Sequence, residues 1–120
     1  MKVNIGSVSD AGSLDSERIG LLVRASGDLS SYVIIDSTFD QEGTLSNRLR
    51  HMHRFGRQQV KSGDRVVLYT KSGLNQARSN GDGTTTYFVY WGLNETVWNR
   101  SGDVALLIEI VDSQSKRVVS

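Results

Sequence analysis

Val60-Lys61-Ser62-Gly63-Asp64-Arg65-Val66-Val67-Leu68-Tyr69-Thr70 is the stretch that decides the fold. Gly tolerates a positive φ without steric cost, and Ser and Asp bond their own backbone, so Ser62-Gly63-Asp64 predicts a tight turn. The β-branched and aromatic residues that follow fit a pleated, half-buried strand over 65–70. The same chemistry recurs at Ser26-Gly27-Asp28 and Ser101-Gly102-Asp103, and Asn80-Gly81-Asp82-Gly83 is a further turn signal. Between such points lie short β-rich runs at 3–8, 18–25, 32–37, 48–55, 85–91 and 104–111, with a last short one at 117–119.

Composition agrees with that reading. The chain of 120 residues holds 13 Val, 6 Ile and 7 Thr against 4 Ala, which favours strands over helices. Seven or eight strands in a chain of this size predict an all-β fold, an antiparallel immunoglobulin-like β-sandwich, in a single domain over residues 1–120. One segment is ambiguous. Leu45, Leu49, Met52 and Phe55 follow a helical spacing, while Leu49, His51, His53 and Phe55 alternate as in a strand. Gly43 and Gly56 bound it at the length of a strand plus a loop, so the strand reading is preferred. The absence of Pro removes one device for blunting sheet edges and leaves that task to charges and bulges.

Charge is distributed unevenly. Residues 1–42 carry three basic and seven acidic side chains, residues 43–78 eight and one, and residues 79–120 three and five. The basic stretch supplies the candidate partner-binding residues Arg48, Arg50, Arg54, Arg57 and Lys61. On a strand, Arg48, Arg50 and Arg54 share one face, and Arg forks match phosphates.

The C-terminal half combines three features in order: the Gly63 turn into a Val-rich strand, Trp91-Gly92, and Asn99-Arg100-Ser101-Gly102-Asp103 leading into Val104-Ala105-Leu106-Leu107. In this it resembles the lamin tail domain family. Leu29-Ser30-Ser31-Tyr32-Val33-Ile34-Ile35-Asp36 stands where that family reads Leu-x-Gly-Trp-x-Leu-x-Asp, with Ser31 and Tyr32 replacing Gly and Trp. His53-Arg54-Phe55 resembles its aromatic strand before the Gly turn. The resemblance spans residues 18–110 and implies an immunoglobulin-like scaffold with a structural or protein-interaction role. Asn99, Ser101, Gly102 and Asp103 then form a structural turn, with Asn99 and Ser101 bonding their own backbone and Gly102 left-handed. Trp91 and Trp98 are expected in the core.

Motifs of catalysis are missing. No Gly-x-Ser-x-Gly elbow, Gly-x-x-x-x-Gly-Lys-Ser/Thr loop or Gly-x-Gly-x-x-Gly pattern occurs. The lack of Cys excludes a disulfide scaffold, a thiolate metal site and a cysteine nucleophile. His51 and His53 alternate on one strand face, but zinc takes three or four protein ligands and the surrounding Arg residues oppose a cation, so neither a metal nor another cofactor is expected. Asn80 and Asp82 are read as turn residues rather than calcium ligands. No segment approaches the roughly 20 apolar residues of a membrane-spanning helix, and the start lacks the apolar core of a secretory signal. Membrane insertion is not expected. The sequence predicts a non-enzymatic module whose partner is a protein, with nucleic acid as the alternative through residues 48–61. Carbohydrate binding on a platform of Trp, Tyr87 and Tyr90 comes third.

Overall fold

Ten strands lie in the described residues of the computed structural model, which are 1–38, 51–98 and 103–119. They are β1 (Val3–Ser9), β2 (Arg18–Val23), β3 (Gly27–Asp28), β4 (Tyr32–Thr38), β5 (Met52–Arg54), β6 (Gln59–Val60), β7 (Arg65–Tyr69), β8 (Gln76–Ser79), β9 (Thr85–Tyr90) and β10 (Asp103–Glu109). A 3-10 turn, Leu29–Ser31, is capped by Asp28, whose carboxylate accepts from the Ser30 amide. The protein is all-β. Five strands form one sheet in the order β1-β2-β7-β9-β8, three form a second in the order β10-β4-β5, and β3 and β6 form a third of two strands.

Alternation explains which faces are buried. On β2, Ile19, Leu21 and Val23 point inward, and on β7 Val66 and Leu68 do the same, while Arg18 and Arg65 lie on the opposite face. Tyr32 and Ile34 of β4 meet them, together with Phe55, Trp98, Ala105 and Leu107. The hydrophobic core is therefore shared by residues of the five-stranded and three-stranded sheets. β4 is buried on both faces, with Val33 and Ile35 as enclosed as Ile34, which accounts for its continuous apolar run.

The deciding stretch forms the expected turn. Gly63 has φ +92°, its amide donates to the Val23 carbonyl, and the Val23 amide donates to the Asp64 carbonyl. Asp64 is buried, and its carboxylate accepts from the Lys61 amide at 2.9 Å and the Thr85 amide at 2.9 Å. One short acidic side chain thus fastens the turn to the start of β9. Asn80-Gly81-Asp82-Gly83 closes the β8–β9 hairpin, with positive φ at Gly81 and Gly83 and the Asn80 amide donating to the Thr84 carbonyl. The Asp82 carboxylate accepts from the Thr84 amide and hydroxyl, which holds its pKa below the ordinary value.

Four expectations are corrected. The sheets are not wholly antiparallel, because β7 and β9 run parallel. A parallel pair requires a crossover of about a dozen residues or more; here the chain passes beyond the position of β9, forms β8, and returns through the hairpin into the gap. The described residues hold ten strands rather than the expected seven or eight; β8 carries no signal in the sequence, since all four of its residues are exposed and show no apolar alternation. Gly27 does not sit in a left-handed turn but pairs with Val60 as part of β3. The run at 117–119 is exposed and outside any strand. Of the ambiguous segment, Met52–Arg54 is strand and residues 44–50 lie outside the described residues.

Candidate interaction surface

The basic candidates do not form one row. Arg54 is exposed on β5, with His53 between it and Met52 turned inward. Arg57 is exposed at the mouth of a cleft and adds its positive field to Asp28. Lys61 is engaged, its ammonium donating to the Gly83 carbonyl and standing 4.0 Å from Asp64. Arg48 and Arg50 lie outside the described residues, as do Asn99, Ser101 and Gly102 of the structural turn. Asp103 opens β10 opposite Thr38.

The cleft at Arg57 has a volume of about 310 Å³. Leu29 and Phe55 form one wall, Tyr87 and Val89 of β9 another, and Asn75, Gln76 and Ala77 of the β8 side a third. Its origin is local. Ala77 pairs with Tyr87 and shares its inward face, but a methyl group is too short to reach Leu29 and Phe55, so the space beneath β8 stays open. The opposite rim is rigid: Asp28 accepts from the Gln58 amide at 3.1 Å and from the Gln59 side chain at 3.2 Å, and the Leu29 amide donates to the Gln58 carbonyl.

Among the described residues β8 is an edge strand of the five-stranded sheet and pairs with β9 alone. Alternate residues of such a strand turn amide and carbonyl outward, which makes it a template for another strand. The opposite edge differs. On β1 the register shifts between Ile5 and Ser7, leaving Gly6 as a bulge, a device that discourages edge pairing. The pairing of β8 is regular throughout.

The outer face of the same sheet is aromatic and cationic. Tyr69 and Tyr90 stack with centroids 5.3 Å apart, Lys71 lies 5.2 Å from the Tyr69 ring, and Arg78 lies 5.3 Å from the Phe88 ring. Gly73 rests against Tyr90 so closely that a Cβ there would come within 2.4 Å of the ring. Arg65 is exposed beside them, whereas Arg18 is paired to Asp10 at 3.1 Å. Sequence reading missed this set, although Arg65, Val67 and Tyr69 carried the signal as the outward half of an alternating strand. The carbohydrate platform is corrected: Trp98 is buried, Tyr87 packs against the core and Tyr90 lies on the other face of β9.

The two histidines flank the aromatic core. The buried Asp36 carboxylate accepts from the His51 amide at 2.6 Å and contacts its Nδ1 at 3.3 Å, while Nε2 faces Glu95 at 3.5 Å. His53 packs between Phe55 at 4.9 Å and Trp91 at 5.7 Å, and its buried Nε2 has no hydrogen-bond partner among the described residues. Burial pushes the His53 pKa below its ordinary value. Above about pH 6.5 the ring is neutral in both folded and unfolded chains; below it the unfolded chain takes up a proton that the folded chain resists. Stability supplied by the neutral ring is therefore complete above that pH and declines as the solution is acidified. Melting temperature should fall between about pH 7.5 and about pH 5.5, and His53→Phe should flatten that decline. Equal slopes in both proteins would show that His53 does not titrate across folding.

Comparison of the chain with protein-family models, curated proteins and solved structures returns no match.

Proposed function

We propose that the protein is a non-enzymatic protein-interaction module with an immunoglobulin-like sandwich body akin to the lamin tail domain. A core shared by Ile19, Leu21, Val66 and Leu68 on one side and Tyr32, Ile34, Ala105 and Leu107 on the other supports the two-layer reading, and the parallel β7–β9 pair is a departure from the antiparallel immunoglobulin pattern. The observation that carries the function is the regular, unbulged edge strand β8 lying over an open cleft. An exposed edge contributes backbone hydrogen bonds, and an adjoining pocket selects side chains. Selection of a random-peptide display library on the immobilised protein tests it. Enrichment of peptides that no longer bind the Ala77→Pro variant, which lacks one edge amide, is the expected result. Peptides indifferent to that substitution, or no enrichment, would overturn the assignment.

A second reading, nucleic-acid binding, draws support from Arg65, Lys71 and Arg78 on the outer face and from Arg54 and Arg57. It predicts oligonucleotide affinity that falls with salt by about 0.9 logarithmic units per phosphate contacted on duplex DNA. Absence of binding at low salt would remove it.

A further inference from the structure

Resting on the interaction-module reading, we infer that the occupant of the β8 edge is an extended acidic–apolar protein segment, one that alternates a branched aliphatic side chain with Glu or Asp. A strand added to β8 must respect the pleat. Its residue opposite Ala77 points inward, as Ala77 and Tyr87 do, while the residues on either side of it point outward beside Gln76 and Arg78. The inward residue meets the cleft. A volume of about 310 Å³ admits a Val, Leu or Ile side chain, which would find the apolar Leu29, Phe55 and Val89 beside the polar Gln58, Asn75 and Gln76 and gain from the apolar area it buries.

The outward residues meet positive charge. Arg78 is exposed and spread over Phe88, with Arg65 and Lys71 on the same face. A carboxylate directly across from Arg78 gains the favourable pairing of opposite charges on neighbouring strands, and an ammonium there is repelled. Arg57 adds a cation at the inner rim. The nearby Asp28, kept ionised by hydrogen bonds from Ser30 and Gln58 and by Arg57 itself, offsets part of the Arg57 field, so the preference of an incoming strand is set chiefly by Arg78.

Charge also decides between this partner and the protein's own exposed segment. Residues 111–119 are exposed and include the strand-forming Val118 and Val119, but Lys116 and Arg117 precede them. Laid on β8, they would oppose Arg78 and Arg57. Nucleic acid is disfavoured at the edge for a different reason. The Tyr69 and Tyr90 faces are occupied by each other, by Lys71 and by Gly73, so base stacking has no open ring there.

The test uses the intact chain and two capped peptides, one alternating Val with Glu and the other alternating Val with Lys, measured by fluorescence anisotropy and by amide chemical shifts. The Glu peptide should bind and shift the amides of Gln76–Ser79, and the Lys peptide should bind at least about tenfold more weakly. Ala77→Phe, which fills the cleft from the edge, should abolish Glu-peptide binding. The paired surface change Arg57→Glu with Arg78→Glu leaves the core untouched and should reverse the preference between the peptides. Equal binding of both, lost in Ala77→Phe, overturns the acidic partner and leaves the interaction module standing. Binding of the Glu peptide unaffected by Ala77→Phe overturns the edge site. Failure of both peptides, with an oligonucleotide of single-stranded DNA bound instead, overturns the present inference and the module reading together.

Discussion

Glu17→Ala is expected to destabilise the fold by about 3 kcal/mol or more, a large share of the roughly 5–15 kcal/mol that holds a domain together. Glu17 is 0% exposed, yet its carboxylate ties the neighbouring Gly12 to two segments that are remote in sequence. One oxygen accepts from the Gly12 amide at 3.1 Å; the other accepts from the Thr70 hydroxyl and, at 2.8 Å, from the Val97 amide. Thr70 and Val97 are themselves buried. Truncation leaves their donors without an acceptor, and each such loss costs about 1–3 kcal/mol. Glu17→Gln keeps the shape and one acceptor oxygen but turns an NH2 group toward a donor, so it should fall between wild type and Ala. Urea denaturation measures both, with a shifted midpoint at constant slope expected. A Glu17→Ala protein within about 0.5 kcal/mol of wild type would show that water replaces the carboxylate and that the clasp is dispensable.

Trp98→Ala is the second large effect. Trp98 is 2% exposed, and its ring centroid lies 6.3 Å from that of Trp91, in a cluster that continues through His53 and Phe55. Removing a fully buried indole loses its transfer free energy and opens a cavity, together about 3–5 kcal/mol. Trp91 is only half-buried, so Trp91→Ala should cost less. The order of the two is the informative result. Comparable losses would mean that Trp91 is as enclosed in solution as Trp98, and a smaller loss at Trp98 would contradict its place in the core.

The clasp and the cleft show different limits of sequence reading. Ser16-Glu17-Arg18 looks like an ordinary solvated stretch, and nothing local marks Glu17 as buried. Two of its three partners lie 53 and 80 residues away, so most of its role exists only once β7 and the segment ending at Trp98 have been brought together. Trp98 was legible because a large apolar ring has one favourable destination whatever the topology. Arg57 was visible as a cation in a basic run, but its position at the mouth of a cleft depends on Asp28 and Gln58 closing one rim.

By itself the sequence determined several turns and the direction of side chains on the central strands. Gly63, Gly81 and Gly83 turn at little cost, because positive φ is nearly free for glycine. Ile19, Leu21, Val66 and Leu68 had to share a buried face, because strand residues alternate with a period of two and apolar area is driven from water. Tertiary structure decided what periodicity does not encode: that β9 enters between β7 and β8, that Ala77 comes to face Leu29 and Phe55 across an open cleft, and that Glu17 is sealed beneath Thr70 and Val97. These follow from pairings between distant segments, where register and strand order are chosen by the packing of the whole core rather than by any one stretch.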